Sequence, residues 1–186
     1  MSLFFNNNSY AENPGNVKLS RKKCRQLKNR LCKNFMLKIN FDLNRIPVSR
    51  WIRFGDTQPA LVYSIEPLII SAYSDEMDAV VFLRFPDFLT DRYKLNVGDI
   101  LASSNVYTER SDEIVADDIF IGENYLERYH DFTPIIQLFL SDDEEAIKFN
   151  AGIFDRNTLQ RVQDLTEEYA DRHLELCREG FCFFFM

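Results

Sequence analysis

Carboxylates are the most plentiful reactive groups in this chain, and they come in clusters. Asp75, Glu76 and Asp78 stand in SDEMD, Asp117 beside Asp118, and Asp142, Asp143, Glu144 and Glu145 in SDDEE. Carboxylates gathered around one point hold a divalent cation or perform acid–base work on a sugar or phosphate. A divalent-metal hydrolase or nuclease using Asp75, Glu76, Asp78 and Asp117 is therefore one reading, and it requires these side chains to converge in one cleft. Local pattern points elsewhere. Adjacent residues of a strand face opposite ways, so Asp117 and Asp118 do not naturally share an ion. The acids after Ser141 open a helix, where they complement the macrodipole. SDEMD has the length and polarity of a solvated hairpin turn.

Nucleophilic chemistry needs a Ser or Cys beside a base that titrates near neutrality. His130 and His173 are the two histidines. The first sits in an aromatic stretch that reads as packing, the second on an apolar stripe. No G-x-S-x-G elbow, H-E-x-x-H, phosphate loop or dinucleotide fingerprint occurs. Cys24, Cys32, Cys177 and Cys182 lack the tight pairing of structural zinc ligands and read as reduced core thiols. Arg84, inside the apolar run AVVFLRF, must be paired or reach the rim, because burying it alone is costly. No catalytic residue, metal or cofactor is expected, and the balance leans away from an enzyme.

Charge is the stronger signal. Eight Lys or Arg residues lie between Lys18 and Lys33 with no acid among them. Residues 1–53 carry 12 basic residues against Glu12 and Asp42, a net of +10, whereas residues 54–186 carry 10 against 27, a net of −17. The basic patch Arg21, Lys22, Lys23, Arg25 and Lys28 is suited to phosphate or an acidic surface, which makes an anion or nucleic-acid binder a further alternative. The acidic remainder would repel a long polyanion and argues against nucleic acid.

The elements that position these groups follow from periodicity. Residues 1–16 read as a mobile N-terminal tail and 17–186 as one domain. The stripe Cys24, Leu27, Leu31 and Phe35 predicts an amphipathic basic helix over 18–35. Alternation of Leu37, Ile39, Phe41 and Leu43 with polar residues predicts a strand over 37–44. Further strands are expected at 60–65, 68–73, 79–85, 99–107 and 114–121, with connections short enough to favour antiparallel pairing. Residues 134–140 suit a helix opened by Thr133-Pro134 or a buried strand, and periodicity does not choose between them. Ser141 and Glu144 have capping-box spacing, and a long helix is expected over 158–178 with Val162, Leu165, Tyr169, His173 and Leu176 as its stripe. The expected fold class is α+β: a mostly antiparallel sheet of about five or six strands, with an N-terminal basic helix and C-terminal helices packed on one face.

No apolar run approaches the roughly 18–20 residues that span a bilayer, and the N-terminus lacks a basic start with a continuous apolar stretch. A cytoplasmic protein is expected. Phe181–Met186 forms either a plug in the protein's own core or a patch for self-association. The expected function is a non-enzymatic protein-interaction module. Its partner is another protein, met through an acidic surface drawn from Asp75, Glu76, Asp78, Asp142, Asp143 and Glu144. Immunity proteins and small regulators offer an analogy at the level of class alone.

Overall fold

The structure is a computed structural model that describes residues 11–109, 114–173 and 176–185, the side chain of His173 excepted. In chain order the elements are α1 (Arg21–Leu31), α2 (Phe35–Phe54), β1 (Asp56–Ile65), β2 (Leu68–Ser74), β3 (Ala79–Phe85), α3 (Phe88–Tyr93), β4 (Ile100–Glu109), β5 (Ile119–Ile121), β6 (Tyr129–Ile136), α4 (Gln137–Leu140), α5 (Glu144–Ala151), α6 (Arg156–His173) and β7 (Arg178–Glu179), before a 3-10 turn at Cys182–Phe184. The strands form one sheet in the order β5-β3-β2-β1-β4-β6, with β7 also on β3. All pairings are antiparallel except β3 with β7. The α+β class and the antiparallel sheet are as the sequence predicts.

The helices divide between the two faces of the sheet, which refines the expected single helical layer. Ala79, Val81, Leu83 and Phe85 of β3 belong to the larger apolar cluster, with Leu68, Ile70 and Ala72 of β2. The intervening Val80 and Phe82 join Ile69 and Tyr73 against Val162, Leu165, Tyr169 and Ala170 of α6. Opposite faces of one strand thus serve different cores, as the pleat dictates. The larger cluster also takes Cys24 and Leu27 from α1, Phe41, Val48, Trp51 and Ile52 from α2, and Phe139 and Leu140 from α4.

The sheet curls until its edges meet. Arg178, on β7 beside β3, donates to both Asp118 carboxylate oxygens at 2.7 and 2.6 Å, to Asp131 at 3.0 Å and to the Phe132 carbonyl at 2.8 Å. Asp131 and Phe132 lie on β6, the opposite end of the strand order. The Ala116 N–H, just before β5, also donates to the His130 carbonyl on β6.

The C-terminal aromatics fill the space this curl creates. Phe181, Phe183 and Phe184 are buried, Phe184 stacks on Phe41 with centroids 4.0 Å apart, and Phe181 meets Phe85 edge-on at 5.1 Å. Asn44 of α2 donates to the Phe184 carbonyl. A Cβ on Gly180 would fall 2.2 Å from the Phe85 ring, so only glycine lets the chain cross that ring. Self-association through Phe181–Met186 is therefore corrected: the buried rings belong to the protein's own core, and Met186 lies outside the described residues.

Further expectations change. Residues 37–44 belong to α2, not a strand. The Asn34 side chain caps the helix by accepting from the Leu37 N–H, and Phe41, Val48, Trp51 and Ile52 are buried at helical spacing. The basic helix is shorter than 18–35: the Ser20 side chain caps it at Lys23, and it ends at Leu31. Thr133 and Pro134 lie in β6, with Pro134 opposite Asn105, and the helix begins only at Gln137. β6 ends the strand order, where a residue without an N–H is tolerated. The helix after SDDEE is capped by Asp143, which accepts from the Ala146 N–H at 3.1 Å, rather than by Ser141. In the last helix, described over Arg156–His173, Asp155 accepts from the Thr158 N–H. The tail expected over 1–16 lies outside the described residues for 1–10. From Asn13 to Asn16 the backbone is hydrogen-bonded to Arg53, Gly55 and Thr57.

Removing one ring of the plug tests this packing. Phe184→Ala is expected to lower unfolding stability by about 3–5 kcal/mol in urea titration while the protein keeps its oligomeric state. A variant of unchanged stability and altered oligomeric state contradicts the plug.

Candidate interaction surface

The structure scatters the sequence-predicted carboxylates. Asp78 is buried at the base of the β2–β3 turn, where Arg161 of α6 grips both oxygens at 2.9 and 2.6 Å and the Asn124 N–H donates at 2.9 Å. Burial alone would raise the Asp78 carboxyl; these hydrogen bonds hold it below the ordinary value. Asp75 and Glu76 are exposed on the turn, with Glu76 3.7 Å from Arg128. Asp117 is exposed, while its neighbour Asp118 is held by Arg178. Asp142 accepts from the Ser20 hydroxyl, Asp143 caps α5, and Glu144 points to solvent in the first turn. Among the described residues no three His, Cys, Asp or Glu side chains gather as a metal-ion set. The cleft required by the hydrolase reading of Asp75, Glu76, Asp78 and Asp117 is not formed: Asp78 is committed to Arg161, and Asp117 lies on the approach to β5.

Other candidates resolve into structural parts. Arg84 is exposed at the far end of β3 from the turn, opposite Glu179 of β7, and lines a shallow open depression with Pro67 and Asp87. Burial raises all four thiols, Cys24 to about 11, so little thiolate is present near neutrality. His130 is buried in β6.

The basic patch divides. Lys23 turns inward and donates to the Leu138 carbonyl at 2.8 Å and the Ser141 carbonyl at 2.5 Å, satisfying the open end of α4. Desolvation lowers its pKa, partly offset by Asp142. Lys28 is paired with Asp42 of α2. Arg21, Lys22 and Arg25 remain exposed. The basic helix thus packs on its own body through two of its lysines and shows the solvent the rest.

The face that sequence reasoning missed lies on α2. Phe35, Met36, Leu43, Ile46 and Phe54 are 74, 65, 65, 70 and 54% exposed. With half-buried Ile39 they follow helical spacing: 35, 39, 43 and 46 form one row, and 36 and 54 flank it. The alternation that suggested a strand is in fact two apolar stripes on one helix. One, through Phe41, Val48 and Ile52, enters the core, and the other faces solvent. Arg50 and Arg53 are exposed on the outer stripe, with Arg53 5.0 Å from the Phe54 ring. Asp42 is the one acid in either helix. The available signal was the cap Asn34 three residues before Leu37, combined with helical spacing that continues through Pro47.

A second polar site lies where β1 begins. Asp56 accepts from the Gln58 amide at 2.6 Å and, more distantly, from the Tyr107 hydroxyl at 3.5 Å; that hydroxyl in turn accepts from Ser74. Burial pushes the Asp56 carboxyl up to about 6, opposed by the bond from Gln58 and helped by the nearby charge of Asp75. No protein-family model, curated protein or solved structure matches this chain.

Asp56 makes stability depend on pH. Its pKa in the folded state lies above the unfolded value near 4, so the folded form binds the proton more tightly. The stabilising contribution is complete below about pH 4 and is lost as pH rises through about 6. Asp56→Asn is expected to stabilise the protein by on the order of 2 kcal/mol near neutrality and to change little near pH 4. Urea titration of both proteins across that range checks it; a gain of equal size at both ends contradicts the assignment.

Proposed function

We propose that this protein is a cytoplasmic, non-enzymatic interaction module whose docking face is the basic and apolar surface of α1 and α2. The observation that carries this reading is the row of large apolar side chains left exposed along α2. A fold that fills two cores with buried aromatic and aliphatic side chains has no need to hold Phe35, Leu43 and Ile46 in water, and contiguous exposed apolar surface marks an interaction site. Arg50 and Arg53 are exposed on the row itself, and Arg21, Lys22 and Arg25 are exposed on α1, which suits an anionic partner. The acidic residues contribute less to this reading, because Asp78 is buried and Asp142 and Asp143 are engaged in hydrogen bonds within the chain.

The test is contact in the native cell. With a photo-crosslinking amino acid at Ile46 of the full chain, a discrete protein or lipid adduct is expected. The same probe at Gln163, exposed on α6, is expected to give none. Equal yields at the two positions, or no adduct at either, would overturn the proposal.

A further inference from the structure

Three features of the α1–α2 face narrow the chemistry of what it meets. The first is shape. The apolar row runs the length of a 20-residue helix, about 30 Å, on its solvent side. The second is the sign of its charge. Arg50 and Arg53 lie on the row itself, and Lys38 and Arg45 are exposed along the same helix. The Lys28–Asp42 ion pair links α1 to α2, and Arg21 and Arg25 share the face of α1 that carries Lys28. That pair also neutralises the one acid of the two helices, so the face carries no uncompensated negative side chain from either. The third is the mixture itself. Apolar and cationic groups stand at the same level, with the Arg53 guanidinium over the Phe54 ring.

These features discriminate among partners. A nucleic acid would use the cations and leave Phe35, Leu43 and Ile46 wet. A second copy apposed through the same face would cover the apolar row but set Arg50, Arg53, Arg21 and Arg25 against their own counterparts, and like charges across an interface are costly. An anionic bilayer surface answers both groups at once. Apolar side chains enter the headgroup–acyl boundary, while Arg and Lys extend along their stems to the phosphates. A bilayer also needs no matching groove on the helix.

Resting on the reading of this face as the docking surface, we propose that its partner is an anionic phospholipid bilayer. The helix α2 lies in the plane of the interface, with Phe35, Met36, Ile39, Leu43, Ile46 and Phe54 turned toward the acyl chains. Neither helix crosses the membrane; among the described residues no helix is long and apolar enough to do so. Binding joins two contributions, apolar insertion and attraction to anionic headgroups, and neither suffices alone.

The experiment is sedimentation of the full chain with phosphatidylcholine vesicles, with and without phosphatidylglycerol. Binding is expected only with phosphatidylglycerol, and added salt weakens it. Leu43→Ser with Ile46→Ser is expected to reduce affinity about tenfold or more. Arg50→Glu and Arg53→Glu each reduce it about fivefold or more. All four side chains are exposed, so far-UV circular dichroism and melting temperature should match the parent. Lack of sedimentation with anionic vesicles at low salt overturns the bilayer assignment, as does full binding by the Leu43→Ser, Ile46→Ser variant. The Ile46 crosslink keeps the two proposals apart. A discrete protein adduct without vesicle binding removes the bilayer and retains the docking face, whereas failure of both experiments removes both.

Discussion

Closure of the curled sheet rests on one guanidinium. Arg178 brings together Asp118 before β5, Asp131 on β6 and the Phe132 carbonyl, with its own side chain only 12% exposed. Burial disfavours its charge, yet the two carboxylates hold its pKa above the ordinary value. A buried cation so surrounded adds less net stability than its contacts suggest, but removing one partner leaves the others desolvated and uncompensated. Its effect is therefore geometric. It fixes the two-residue β7 against β3 and draws in the far edge strand, and the concavity so formed is what the Phe181, Phe183 and Phe184 rings fill.

The same constraint explains which parts of the fold could be read from the chain. The strands at 68–74 and 79–85 and the helix carrying Val162, Leu165 and Tyr169 are local patterns, and each appears near its expected place. The continuous apolar run AVVFLRF is a strand covered on both faces, and Arg84 emerges near its end, at the rim. What depends on distant partners was illegible. Nothing near Arg178 in sequence announces Asp118 or Asp131, and the rings of FCFFFM carry no mark of the Phe41 and Phe85 surfaces that receive them. At 37–44 the difficulty was different. A helix apolar on two sides presents, over eight residues, the alternation of a strand. Spacing over twenty residues was needed to separate the two periods.

Charge separation along the sequence survives folding only in part. The acids after Ser141 are folded against the start of α1, where Asp142 meets Ser20 and its charge reaches Lys23. Lys28 is neutralised by Asp42. What remains exposed on α1 and α2 is a smaller set of cations than the composition implies, arranged beside an apolar row that composition could not reveal. The candidate surface was thus half legible: its sign came from the sequence, its exposure only from the fold.

The alternating allegiance of β3 bears on how the molecule comes apart. Val80 and Phe82 lie under α6, whereas Val81 and Leu83, one peptide away, lie under the opposite layer. Neither layer can lift off without stripping cover from the backbone that the other uses. The two apolar clusters should therefore act as halves of one cooperative unit, with the amides of this strand expected to exchange through global opening rather than local fraying.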